Sequence, residues 1–509
     1  MAFTRKNVWE LGGDWADPIL WYARGVKAMK ARALKEPTAW RFYGAIHGID
    51  PGLWQQYGYL SPTEPRPSNA DIKTFWKQCQ HGSWYFLPWH RGYVIAFEAI
   101  IRDAVVKLGG PADWAIPYWN YFKPNQNGLP PAFGSPDWPD GKGDNPLFVE
   151  QRYGPNGDGN VFVPINMVNL NALGDPDFTG VANGGSPGFG GVDTGFSHGG
   201  SVHGGIETQP HDWVHGLVGG SEPDTQMPGL MSDPDTAGLD PIFWLHHANI
   251  DRLWEVWREN PVTHVDPPQA NWKNGPASIG ERAFIMPMPG GTTFTYTPGE
   301  MSDLSKLGYG YDDVSPPPAT PHLVARMQRL GATPTAARSL AGSPAMPKTV
   351  ELLGANTQSI RLAGTEARSA VALDASVQRK LSNNLRSVAA SSAAPDRVFL
   401  NLENVRGLND ATAFNVYVNL PEGADPAKYP DHLAGSVALF GVRKATLSDD
   451  KHAGDGLTFV LEISHVIDAL HLAGGLDVSK LDVRLVPVKP VPEAAQVSIG
   501  RISVFRQGG

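Results

Sequence analysis

The stretch Cys79–Glu98, CQHGSWYFLPWHRGYVIAFE, sets two imidazoles, His81 and His90, in a run of aromatic residues and places the chain's one cysteine two positions before the first of them. Imidazole is a borderline ligand suited to copper, zinc, iron and nickel. An apolar wall such as Trp84, Phe86 and Trp89 excludes water and fixes ring orientation around a metal. By itself an aromatic run of this kind reads as core. Its weight comes from similar settings elsewhere in the chain. His47 ends the apolar segment EPTAWRFYGAIHG (36–48). His211 and His215 lie four apart in HDWVH, which puts both rings on one face if the segment is helical. His246 and His247 follow Phe243 and Trp244 in DPIFWLHHANID (240–251). HDWVH lacks the glutamate of HExxH, so a zinc-protease reading has no general base. Two clusters of three neutral nitrogens suit a pair of copper ions with open positions for dioxygen between them.

The bulk composition narrows the field. With 509 residues the chain has room for about two to four domains, and 41% hydrophobic with 18% charged residues is an ordinary globular balance. A net charge of -9 and the lack of a dense Lys/Arg stripe argue against nucleic acid as a partner. One cysteine excludes an internal disulfide framework. The N-terminal residues show no signal-peptide pattern, and no run of about 18 apolar residues predicts a membrane span. A cytoplasmic protein without a membrane partner is the default expectation, with export alongside a partner protein left open.

Apolar spacing predicts helices over 17–35, 36–48, 90–110 and 246–260. Between the last two lies a region dense in Gly, Pro, Asn and Asp (about 120–205), and loops that long inside a domain are usually functional or partly mobile. After Asp313 the segment VSPPPATPH reads as a linker, and 330–395 is rich in Ala, Ser, Thr and Pro. From Arg397 onward, short alternating runs such as RVFLNLENV, FNVYVNLP, LTFVLEISHVI and LDVRLVPV predict β structure. The expected architecture is a mainly α catalytic domain over 1–315, a central helix bundle with long loops carrying a dicopper site. A linker over 316–345 and an all-β sandwich domain over 346–509 follow.

HGSWYFLPWHRGYVIAFE (81–98) resembles the first copper signature of tyrosinases: His81, four residues, Phe86, three residues, His90-Arg91, then Glu98. DPIFWLHHANID resembles the second, Asp-Pro-x-Phe followed by paired histidines and Asp251. The chain thus resembles the type 3 copper proteins, in their tyrosinase and polyphenol oxidase branch, over about residues 1–315. The resemblance implies that His47, His81 and His90 hold one copper ion and that His211, His215 and His247 hold the other, with dioxygen as co-substrate. It leaves His246 and Phe243 beside the ligands. It also implies that Asp251 fixes its helix by hydrogen bonding and that Arg91 and Glu98 are structural. GYGYDD (308–313) resembles the tyrosine motif that closes such a domain, and it is expected to pair with Arg5.

Further implications attach to single residues. Glu207, in GGIETQPHDWVH (204–215), matches the family glutamate that helps hold a water able to take the phenol proton. Asp212 departs from the asparagine usual in enzymes strong on monophenols; an ionised aspartate accepts hydrogen bonds but donates none. Gly216 leaves the mouth without a guarding side chain. Cys79, two residues before His81, has the spacing of the family thioether between cysteine and a copper-ligating histidine; a free buried cysteine would instead be a small hydrophobe. The C-terminal domain, by weaker resemblance, is a lid, with Tyr429 of EGADPAKYPDHLAG (422–435) as its candidate substrate placeholder.

The expected activity is oxidation of small phenols: ortho-hydroxylation of monophenols and conversion of o-diphenols to o-quinones, chemistry compatible with a melanin role. A catechol oxidase restricted to diphenols is the alternative that Asp212 keeps open. A haemocyanin-like dioxygen carrier is the alternative from another class. A homo-oligomer stays open.

Overall fold

Asp17-Pro18 starts the first long helix, α1 (Asp17–Lys30), as proline in the first turn costs no hydrogen bond, and Lys27 and Lys30 suit the negative end of the dipole. The computed structural model describes residues 3–139, 141, 143–259, 264–315, 322–341, 348–447, 454–474 and 479–508. They form two compact units. The first comprises Met1–Phe178, Thr194–Gly200 and Gln209–Ser315; the second comprises Thr179–Asp193, Ser201–Thr208 and Pro316–Gly509. Two stretches from within 1–315 fall in the second unit, and so does the described part of the stretch read as a linker.

In the first unit, α1 ends at Lys30, five residues short of expectation. It buries Ile19, Tyr22, Ala23, Val26 and Met29 along one stripe. Helix α2 is Trp40–His47, with residues 36–39 forming the turn before it. Helix α3, Phe86–Lys107, starts four residues earlier than the spacing predicts. Pro88 is tolerated there because it falls in the first turn, where no amide has an intrahelical partner. His90 therefore sits in the second turn instead of opening the helix. The start of α3 is buried all round, as a helix at the centre of a domain must be. After α4 (Trp213–Gly219), helix α5 runs Pro241–Arg258, capped by Asp240, whose Oδ1 accepts the Ile242 amide at 3.0 Å. That cap again places the helix start upstream of the expected His246. The Phe97 ring of α3 stacks on Trp244 of α5 with centroids 3.5 Å apart. The carbonyls just before and at the start of α5 are held from α1 and α2. Tyr22 Oη donates to Pro241 O at 2.8 Å and Trp40 Nε1 to Leu239 O at 3.1 Å.

The chain ends of this unit are clamped as expected. Phe3–Arg5 pairs in parallel with Tyr309–Tyr311. Arg5, fully buried, donates to Asp251 at 3.1 Å, to Glu98 at 2.9 Å and to Tyr311 Oη at 3.0 Å. Arg91 reaches the other Asp251 oxygen and donates to Met301 O at 2.7 Å and Glu255 at 2.7 Å. Glu98 also accepts the Ile116 amide at 2.8 Å. Arg91, Glu98 and Asp251 are thus one buried ionic network tying α3, α5 and both ends of the unit together.

The second unit is built on antiparallel strands: β1 (Thr349–Ala355), β2 (Ile360–Arg361), β3 (Ala367–Leu373), β4 (Arg397–Arg406), β5 (Ala413–Val418), β6 (Leu433–Ala438), β7 (Leu457–Glu462), β8 (Lys480–Pro487) and β9 (Ser498–Gly508). They form one nine-stranded sheet in the order β6-β5-β8-β3-β1-β9-β4-β7, with β2 pairing on β9. Alternation places Leu481, Val483 and Leu485 of β8 in the core and Lys480 and Asp482 in solvent. The expected β domain is thus present as a single sheet curled into a nearly closed barrel. A Cβ on Gly435 of β6 would lie 3.0 Å from the Leu461 side chain of β7, so the two end strands approach.

Helices pack on this sheet. In α8, Ala375–Ala389, the Asp374 side chain caps Ser376 and Val377, and Val377, Leu381, Leu385 and Val388 are buried. The stretch read as a linker holds α6 (His322–Arg329) and α7 (Pro334–Ala341); the rest of that stretch, 316–321 and 342–345, lies outside the described residues. Among the described residues, no helix is long and apolar enough to cross a membrane.

Candidate metal centre

His47 ends α2, His81 lies in the loop before α3, and His90 lies one turn into it. Their rings form a triangle with centroid separations of 5.3, 5.6 and 5.4 Å. His211 precedes α4, His215 lies within it, and His247 lies in the second turn of α5. Their separations are 4.5, 5.0 and 5.5 Å. The triads meet where His90 stacks on His247 at 4.4 Å. All six rings are buried. Burial, reinforced by neighbouring imidazoles, pushes His90, His211, His215 and His247 well below the ordinary histidine range, so these four are neutral near pH 7.

In four of the rings a partner of the second nitrogen explains the orientation. Nδ1 of His47 meets Pro234 O at 2.7 Å, that of His90 meets Phe86 O at 2.8 Å, and that of His215 meets Met231 O at 2.7 Å. Carbonyls only accept, so in these rings Nδ1 carries the hydrogen and Nε2 keeps its lone pair for a metal. His211 Nδ1 lies 2.9 Å from Asp212 Oδ1, which does the same work. The loop holding Met231 and Pro234 serves one histidine of each triad. Sequence reasoning missed it because main-chain acceptors leave no side-chain signature.

An imidazole-only donor set fits copper. The Nε2 of His90 is buried with no hydrogen-bond partner among the described residues, as a nitrogen reserved for a metal would be. His211, His215, His246 and His247 each bring a nitrogen within 4.8 Å of the others. Within that group, His247 Nε2 faces His215 Nε2 at 3.3 Å, whereas His246 Nδ1 lies 3.5 Å from Tyr121 Oη. Burial pushes His246 down to about 3. The two rings lie at similar separations from His211 and His215, 5.5 and 5.0 Å for His246 and 5.0 and 5.5 Å for His247, and differ in what their nitrogens face.

Of the apolar residues expected around the site, Phe86, Trp89 and Phe243 pack on the histidine rings. Phe243 lies 4.1 Å from His247 and 5.0 Å from His47, between the two triads. Phe86 packs on His211 and Trp89 on His90, each at 4.7 Å. A Cβ on Gly216 would meet nothing within 4 Å. Cys79 Sγ lies 3.5 Å from His81 Nδ1, and also 3.2 Å from Nδ1 of His198, a residue no local pattern had marked. Glu207 is fully buried and starts the stretch Glu207–Asp212, which is broken by an extended Gln209 (φ -143°, ψ 122°). Tyr429, in the second unit, is 38% exposed, with its ring edge-on to His432.

Comparison with known proteins agrees with this geometry. The family described as the common central domain of tyrosinase matches residues 37–189 and 181–260. A domain family of unknown function matches 349–507. The chain is 32% identical to tyrosinase HcTyr1 of Hahella sp. (strain CCB-MM4), over 99% of both proteins. It is 24% identical to the chloroplastic polyphenol oxidase of Malus domestica, over 80% of this chain and 64% of that one. Among solved structures, latent apple tyrosinase shares the fold with a TM-score of 0.56 and 19% identity, over 99% of this chain and 97% of that one.

Proposed function

Because the chain belongs to the tyrosinase family, we propose that it oxidises small phenols at two copper ions, hydroxylating monophenols in the ortho position and turning o-diphenols into o-quinones with dioxygen as co-substrate. The observation that supports this most is the pair of buried histidine triads, with their outer nitrogens held by Pro234, Phe86, Met231 and Asp212. His47, His81 and His90 would hold one ion and His211, His215 and His247 the other. Bound there, copper would supply the binding and activation of dioxygen and accept electrons from the phenol.

The chain's own side chains do the rest. Phe86, Trp89 and Phe243 keep water from the ligands and hold the rings apart. Glu207 holds a water that receives the phenol proton. Asp212 keeps His211 in the tautomer a metal needs. Gly216 leaves room for an aromatic ring.

Asp212 also favours a second reading, a catechol oxidase confined to diphenols, because an ionised carboxylate cannot donate a hydrogen bond to the water as asparagine does. Oxygen uptake by copper-loaded protein tests both. Uptake with L-tyrosine and with L-DOPA is expected; uptake with L-DOPA alone selects the second reading. Uptake with neither, even after brief protease or detergent treatment, while the copper-loaded protein still binds dioxygen reversibly, overturns both in favour of a dioxygen carrier.

A further inference from the structure

Glu207 is carried by a stretch that folds with the C-terminal sheet. Residues Ser201–Thr208 belong to the second unit. Ser201 O accepts the Thr458 amide of β7 at 2.6 Å, and Val202 bridges to Thr458 in parallel. The His203 ring lies edge-on to Phe459, 6.2 Å away. A second tether comes from β9. Gln507 Oε1 accepts the Ser186 amide at 2.9 Å. Gly184, at a φ of +105°, lies so close to Phe505 that a Cβ would stand 2.4 Å from the ring. The two tethered stretches then brace each other. Gly205 donates to Gly188 O at 2.8 Å and Ile206 to Phe189 O at 3.1 Å. Glu207 is the next residue. His203, one turn before it and buried with it, has Nδ1 3.7 Å from Glu207 Oε1.

The segment GGSVHGG (199–205) has few side chains with which to pack itself, and glycine loses more conformational freedom on ordering than any other residue. A carboxylate at its end owes its placement to whatever holds the segment. A misplacement of about 1 Å in a reacting group can cost roughly a hundredfold in rate.

We propose that β7 and β9 of the C-terminal unit, acting through His203, position Glu207 for its part in phenol oxidation. The proposal rests on the reading of Glu207 given above. His203 is a positioning residue: it acts on the carboxylate and not on the phenol.

The test uses full-length, copper-loaded protein and the phenol that the wild type turns over faster. Thr458→Pro deletes the amide that Ser201 accepts. Proline is tolerable there because β7 ends the sheet and its ladder with β4 lies on the other edge. His203→Ala deletes the ring, His203→Gln retains a polar group, and Glu207→Gln is the reference. Thr458→Pro and His203→Ala are expected to retain the wild-type copper content and a KM within about twofold, while kcat falls about tenfold toward that of Glu207→Gln. His203→Gln is expected to recover part of the loss. Unchanged kcat in His203→Ala beside an impaired Glu207→Gln overturns the positioning role and leaves the reading of Glu207 standing. Unchanged kcat in Glu207→Gln overturns that reading and the proposal with it. Should Thr458→Pro fail to fold, the two His203 variants decide.

Discussion

The Nε2 atoms of His215 and His247 face each other at 3.3 Å. On His215 the other nitrogen is committed to Met231 O, so its Nε2 offers a lone pair. Two ring nitrogens so placed share either a proton or a metal ion. His246, the immediate neighbour of His247, turns one of its nitrogens toward Tyr121 instead.

That contrast separates the paired histidines. His247→Ala is expected to lose one copper ion per chain and nearly all oxygen uptake. His246→Ala is expected to retain both ions and lose about 10–100-fold in activity, the range typical of groups that support a ligand. Metal analysis beside oxygen-uptake assays checks both, and the reverse pattern reassigns the ligand.

Asp212→Asn should raise monophenol turnover relative to diphenol turnover. An asparagine oxygen can still accept from His211 Nδ1, so copper content should hold, while its amide adds the donor that aspartate lacks. Lowering the hydroxylation barrier by about 1 kcal/mol corresponds to roughly a fivefold gain in rate. Initial rates on L-tyrosine and L-DOPA at equal copper occupancy measure the ratio. A ratio that does not rise removes Asp212 from the account of selectivity.

The histidine site was legible because its histidines fall in short segments beside aromatic residues. The helix starts were less so: the capping residue Asp240 and first-turn Pro88 lie upstream of the apolar spacing that was read. Helix α8 went unread in a stretch rich in Ala, Ser and Thr, since it buries only one narrow stripe, Val377, Leu381, Leu385 and Val388. Least legible was the membership of 179–193 and 201–208 in the C-terminal unit. Gly-rich segments pair through their main chains, and a partner such as Thr458, more than two hundred residues away, leaves no mark on local sequence.

Cys79 lies close enough to His81 for the thioether to form on copper loading in air. A bond from sulfur to ring carbon replaces one S–H and one C–H bond; the two protons and two electrons pass to dioxygen, the oxidant that the proposed reaction already consumes. Intact mass should fall by two hydrogens and the titratable thiol should disappear. His198, which also touches the sulfur, should not cross-link. Peptide mapping that finds an unmodified His81, or an unchanged mass with a free thiol, refutes the cross-link.

Asp251 gathers Arg5, Arg91, Tyr309 and Tyr311. Burial alone would raise its pKa, but Arg91 and Arg5 outweigh that and hold the carboxyl below its usual range. A depressed carboxyl contributes stability that is complete above its unfolded pKa of about 3.9 and is lost as pH falls through the lower folded value. Asp251→Asn leaves two buried guanidinium groups short of their counter-charge and should cost about 3–5 kcal/mol at neutral pH. It should also remove this residue's share of acid sensitivity. The stability gap between wild type and variant should therefore narrow below about pH 4. Urea unfolding of the metal-free proteins as a function of pH measures the gap with the histidines common to both. A gap that stays constant down to pH values where the wild type unfolds would mean that the network is held by its neutral hydrogen bonds, not by the Asp251 charge.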